Sequence, residues 1–152
     1  MTITDILGAD RILPELSATT KAGVLEELAG LLAGPTGTDR ARLLEVLRER
    51  ERLNSTAIGE GIAIPHGRLP GLKGVVAGFA RSTPGIDFDS VDGQPTHLFF
   101  VLVAPDDAAA MHLKALARIS RLLKDKEFRA RLLGLSMRDA ILGAIVAEDA
   151  KF

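Results

Sequence analysis

Leu98-Phe99-Phe100-Val101-Leu102-Val103 is an unbroken apolar run with no polar residue on either alternate face. A strand of that kind is buried on both sides, so the chain must place covering elements above and below it. Pro105 stops the run, because proline lacks the N–H that a continuing ladder needs. The flanking sequence supplies the cover. Val24, Leu25, Leu28, Leu31 and Leu32 recur at helical spacing, with Thr19 or Thr20 as the cap and Gly34-Pro35 as the end. Asp39 opens a second helix through Leu43, Leu44 and Leu47 to about Leu53, closed by the charged run Arg48-Glu49-Arg50-Glu51-Arg52. That run reads as a solvated face with i,i+3 and i,i+4 pairs, and it also carries arginines toward the loop that follows.

Short strands come next: Ile62 to Ile64, Gly74 to Arg81 and a smaller piece at Ile86-Asp87-Phe88, with a turn at Asp92-Gly93. Beyond the apolar run a third helix starts near Ala108, with Leu113, Leu116, Ala117, Ser120 and Leu123 at helical spacing. Asp125 to Leu133 is a fourth helix. Ser136-x-x-Asp139 resembles a capping box for a fifth, which carries Ile141, Leu142, Ile145 and Val146. Helices at both ends with strands between them predict an α/β sandwich: one mixed β-sheet flanked by α-helices on both faces. There is no internal repeat or linker, and 152 residues suit a single domain over 1–152.

Composition narrows the function. Cysteine is absent, which removes disulfides, thiolate nucleophiles and zinc knuckles. A net charge of -1 and a pI near 6.3 argue against nucleic-acid binding. Aromatics are only 4% and all are Phe, a poor supply of base-stacking platforms. No apolar run approaches the ~20 residues that span a bilayer, and no leader segment is evident, so a cytoplasmic chain without direct membrane insertion is expected. The three histidines lack metal-ligand spacing, Gly59-Glu60-Gly61 lacks the third glycine of a dinucleotide turn, and no Gly-x-Ser-x-Gly elbow occurs. No metal or cofactor is expected.

One residue stands out chemically. His66 follows the β-branched run Ile62-Ala63-Ile64, sits behind Pro65 and precedes Gly67. Proline should end the ladder and glycine should let the chain turn, which leaves the imidazole at the end of a buried strand, open to another molecule. Such a histidine is either an ordinary loop residue or an approachable nucleophile.

The stretch Gly59-Glu60-Gly61-Ile62-Ala63-Ile64-Pro65-His66-Gly67 resembles the signature of fructose/mannitol-type (type 2) IIA domains of the bacterial phosphotransferase system, and among them the nitrogen-regulatory branch. The likeness extends to Leu16 through Lys21, Arg50 through Thr56, Pro84 through Phe88, Asp92-Gly93-Gln94-Pro95, Leu98 to Pro105 and Met111-His112-Leu113. The resemblance implies that His66 accepts a phosphoryl group on Nε2, with Nδ1 oriented by a backbone carbonyl. It implies that His112 holds the phosphoryl oxygens, and that an arginine at Arg50 contacts phosphate or partner. Arg52 competes with Arg50 for that place. Ser55 and Thr56 either donate to phosphate or cap the turn. Glu60 either orients an imidazole or is solvated. His97 reads as a structural residue at a strand entry.

The resemblance further implies an HPr-like phosphohistidine donor. The acceptor is then a set of regulatory target proteins or, alternatively, a IIB domain in sugar uptake. A third reading is a IIA-like binding module without transfer activity, against which the intact His66, His112 and Arg50 speak. The expected site is a shallow depression shared by His66 and His112 with an arginine on its rim, since a protein donor must reach it.

Overall fold

The computed structural model describes residues 1–152. After two 3-10 turns (Ile3–Asp5 and Ala9–Arg11) come β1 (Ile12–Leu13), α1 (Lys21–Thr36), α2 (Arg40–Leu53), β2 (Ala57–Gly59), β3 (Ile62–Ala63) and β4 (His66–Leu69). The chain continues through β5 (Val76–Ile86), β6 (Thr96–Pro105), α3 (Ala109–Leu123), α4 (Lys126–Gly134) and α5 (Arg138–Asp149). The six strands form one mixed sheet in the order β1-β5-β6-β3-β2, with β4 also paired to β6.

The apolar run is the hub of that sheet. β5 pairs antiparallel along one edge of β6. On the other edge β3 lies parallel at Leu98 and Phe99, and β4 lies parallel from Leu102 to Pro105. Alternation then divides the side chains between two cores. Leu98, Phe100, Leu102 and Ala104 pack with α3, α4 and α5, while Phe99, Val101 and Val103 pack with α1 and α2. Helices therefore cover both faces, as the two-sided run requires.

Several local expectations shift. Pro35 does not end α1; it lies in the last turn, and the helix stops two residues later at Gly37, whose φ of 67° is the left-handed conformation glycine tolerates. The N-cap is Thr20, which accepts from the Gly23 N–H at 3.1 Å. The strand expected from Gly74 and the Ile86 end of the smaller piece are one long strand, β5, with an irregularity between Arg81 and Ile86, while Asp87 and Phe88 lie outside it. The Ser136 capping box does not form, and Met137 is the N-cap of α5. The inward face of α3 is rotated from the one expected: His112, Ala115, Ile119, Leu122 and Leu123 are buried, while Leu113 is 64% exposed. One alanine, an isoleucine and a histidine carry much of this face, so a pattern drawn through leucines misses it.

Gly67 is not a turn either. Pro65 interrupts the strand, with its carbonyl accepting from the Leu102 N–H at 3.0 Å, and the chain resumes at once as β4. His66 is thus the first residue of a strand that is locked to the sheet.

Candidate functional site

Gly67 explains how α2 reaches β4. A Cβ at this position would lie 2.4 Å from Cγ1 of Val46, so only glycine lets the helix lie so close to the strand. Arg50 follows Val46 by one helical turn and shares its face. Its Nε–H donates to His66 Nε2 at 3.2 Å. Its Nη1 donates to the Asn54 carbonyl at 3.1 Å and to Asn54 Oδ1 at 3.3 Å, which fixes the guanidinium at the end of α2.

The other ring nitrogen, Nδ1, lies 2.8 Å from the Ile64 carbonyl. A carbonyl only accepts and an arginine only donates, so both neighbours select one neutral tautomer: Nδ1 carries the proton and Nε2 the lone pair. Burial lowers the His66 pKa, the Ile64 carbonyl opposes that, and Arg50 and Arg68 push it further down. The ring is therefore neutral at pH 7, with its lone pair on Nε2.

His112 enters from the first turn of α3, which the short link after Pro105 folds back over the sheet. Its ring meets His66 edge to face, with centroids 5.3 Å apart. It is 4% exposed, and neither ring nitrogen has a hydrogen-bond partner. Burial, with His66 and Arg68 beside it, pushes its pKa down to about 4. A buried polar ring without a partner is an uncommon arrangement that an incoming acceptor or donor would relieve.

The two histidines open into a depression of about 540 Å³, lined also by Arg42, Glu49, Arg50, Leu53 and Arg68. Three guanidiniums against one carboxylate make it electropositive, suited to a phosphoryl group. Arg42 and Arg68 stand outside every sequence motif, yet periodicity places both. Arg42, Val46 and Arg50 fall at i, i+4 and i+8 on α2, and Arg68 is two residues beyond His66 on the same side of β4.

The remaining candidates do other work. Arg52 points to a separate groove beside Lys21, Arg48 and Asp89, so Arg50 is the arginine at His66. Ser55 donates to the Phe88 carbonyl at 2.6 Å and accepts from the Ala57 N–H, closing a turn. Thr56 gives its N–H and its hydroxyl to the buried Glu51 carboxylate, which Lys21 also pairs at 2.9 Å. Glu60 stands at φ 60° between β2 and β3, where its carboxylate pairs with Arg129 at 3.0 Å. None of Ser55, Thr56 or Glu60 lines the depression. His97 Nδ1 meets the Ser82 carbonyl at 2.9 Å, away from the other two histidines.

A family profile described as phosphoenolpyruvate-dependent sugar phosphotransferase system, EIIA 2, matches residues 5–147. The chain belongs to that family. As an EIIA chain it is 45% identical over 150 residues to a nitrogen regulatory protein of Bradyrhizobium diazoefficiens, covering 99% of this chain and 98% of that one. It is 39% identical over 151 residues to the fructose-specific EIIABC component of Bacillus subtilis, covering 98% of this chain but only 24% of that longer protein. The crystal structure of nitrogen regulatory protein IIA-Ntr from Neisseria meningitidis superposes with a TM-score of 0.89 at 32% identity, covering 94% of this chain and 98% of that one. No helix of this EIIA chain is long and apolar enough to cross a membrane.

Proposed function

We propose that this EIIA chain is a regulatory phosphocarrier whose His66 accepts a phosphoryl group from an HPr-like phosphohistidine. One observation carries the reading: the Nε2 lone pair faces an open, arginine-lined depression while Nδ1–H is held by the Ile64 carbonyl. The lone pair attacks phosphorus as the P–N bond to the donor breaks, and the departing imidazole keeps the bonding pair. No proton is gained or lost in the exchange. As the new P–N bond draws electron density from the ring, the Ile64 carbonyl stabilises the Nδ1–H that becomes more acidic.

Arg50 holds the same lone pair in the resting state, so its Nε–H must leave Nε2 before attack. Bound through Nη1 to Asn54, the guanidinium stays close enough to meet the phosphoryl oxygens. His112 supplies a ring N–H that has no other partner. Arg68 and Arg42 add positive charge at the rim. The depression opens to solvent, which suits a protein donor.

In the regulatory reading, the phosphorylation state changes which target proteins the surface around His66 binds. The likeness to nitrogen regulatory proteins along nearly the whole chain supports it. A second reading, transfer onward to a IIB domain for sugar uptake, draws support from the 39% identity to a fructose-specific component. Loading the chain with labelled phosphate from an HPr-like donor, then adding a fructose-type IIB domain, separates the two. Label retained on the chain fits regulation, and label moving rapidly to the IIB domain fits uptake. No labelling at all would overturn both.

A further inference from the structure

The chain is nearly balanced, with 19 basic and 20 acidic residues, yet no carboxylate occurs between Asp107 and Asp125. Within that stretch Lys114, Arg118, Arg121 and Lys124 fall at i, i+4, i+7 and i+10, so the four cations share one face of α3 and its C-cap, Lys124. Neighbouring like charges at i+3 and i+4 cost a helix stability, and only Arg118 is compensated, by Asp149 through its Nε. Lys114, Arg121 and Lys124 are exposed and have no carboxylate partner. Arg121 lies over the Phe152 ring, 4.8 Å from its centroid, which leaves the edge N–H groups of the guanidinium available. The stripe lines a hollow of about 560 Å³ together with Met1, Ala117 and Ser120.

From this geometry we infer that the outer face of α3 is a docking site for an acidic segment of a partner protein. At a rise of 1.5 Å per residue the stripe is about 15 Å long and one helix wide. An acidic helix with carboxylates at i, i+3 or i+4, and i+7 carries the complementary spacing. With Arg118 paired to Asp149, three free cations suit such a segment better than a nucleic acid, which needs more phosphate contacts. The stripe and the phosphorylation site share α3 but no residues, so the two proposals stand or fall separately.

The test is fluorescence anisotropy with a labelled 14-residue Glu/Ala helical peptide, titrated with the full chain. The variant K114E/R121E/K124E reverses the exposed stripe, and R40E/R52E/K73E reverses three exposed cations elsewhere with the same change in net charge. Circular dichroism checks both folds, and K114Q/R121Q/K124Q replaces the first variant if it unfolds. The stripe variant should weaken peptide binding about tenfold or more, and the control by less than about twofold. Equal losses in both variants, or no binding by the wild-type chain, overturn the proposal. So does stripe-dependent binding of inorganic tripolyphosphate or of a single-stranded oligonucleotide that exceeds peptide binding.

Discussion

His66 is set by two neighbours of opposite character, a carbonyl that only accepts and a guanidinium that only donates. Arg50 also lowers the affinity of the ring for a proton. Substituting Arg50→Gln removes that charge, so the His66 pKa should rise, a change that NMR titration of the ring reads directly. Phosphoryl acceptance should fall about a hundredfold in the same variant, by analogy with loss of one preorganised donor at a site of developing charge. For His112 the sign follows from linkage. The unfolded ring binds a proton near pH 6.5, and the folded ring only near about 4. The stability His112 contributes by staying neutral is intact above pH 6.5 and is lost as pH falls toward 4. His112→Ala should therefore flatten the loss of stability across that window, measured by urea unfolding at a series of pH values, while slowing phosphoryl transfer. A variant as acid-sensitive as the wild type would show that another group governs this range.

At the scale of elements the site depends on α2 lying against β4, and Gly67 is where that contact is decided. Val46 is β-branched and stiff at χ1, so it cannot swing away from an added methyl group. Gly67→Ala should cost about 1–3 kcal/mol by chemical denaturation, as overpacking does, and should also pull Arg50 from His66. Val46→Ala in the same chain should restore much of both losses; no rescue would place the strain elsewhere. The sequence made α2 easy to read, because Asp39 caps it and its leucines keep helical spacing. It made β4 hard to read, because Pro65-His66-Gly67 has the composition of a turn, whereas pairing with β6 holds it as a strand. The same override explains Glu60, whose place near the histidine in sequence is cancelled by a turn that sends it to Arg129. His112 was legible through its His-Leu pair, but its burial was not, since the surrounding leucines suggested a different inward face.

Across the whole molecule one strand joins two cores and presents the site at its end. Phe99 and Phe100 are both fully buried on opposite faces of β6, each against another Phe ring. Truncating either to Ala should cost about 3–5 kcal/mol, with similar losses for the two, because each removes the centre of one core. A large loss for one and little for the other would show that the cores do not support the strand equally. The same strand aligns β4 at Leu102 and leads into α3, so the sheet itself brings His66 and His112 together. The central claim is that this assembly makes His66 Nε2 the phosphoryl acceptor. The measurement that tests it is labelling by an HPr-like phosphohistidine donor, followed by acid and base treatment and mapping of the phosphate by mass spectrometry. One phosphoryl group is expected on His66, lost in mild acid, stable in base and absent from His66→Ala. Label that remains on His66→Ala, or that survives mild acid, would contradict it.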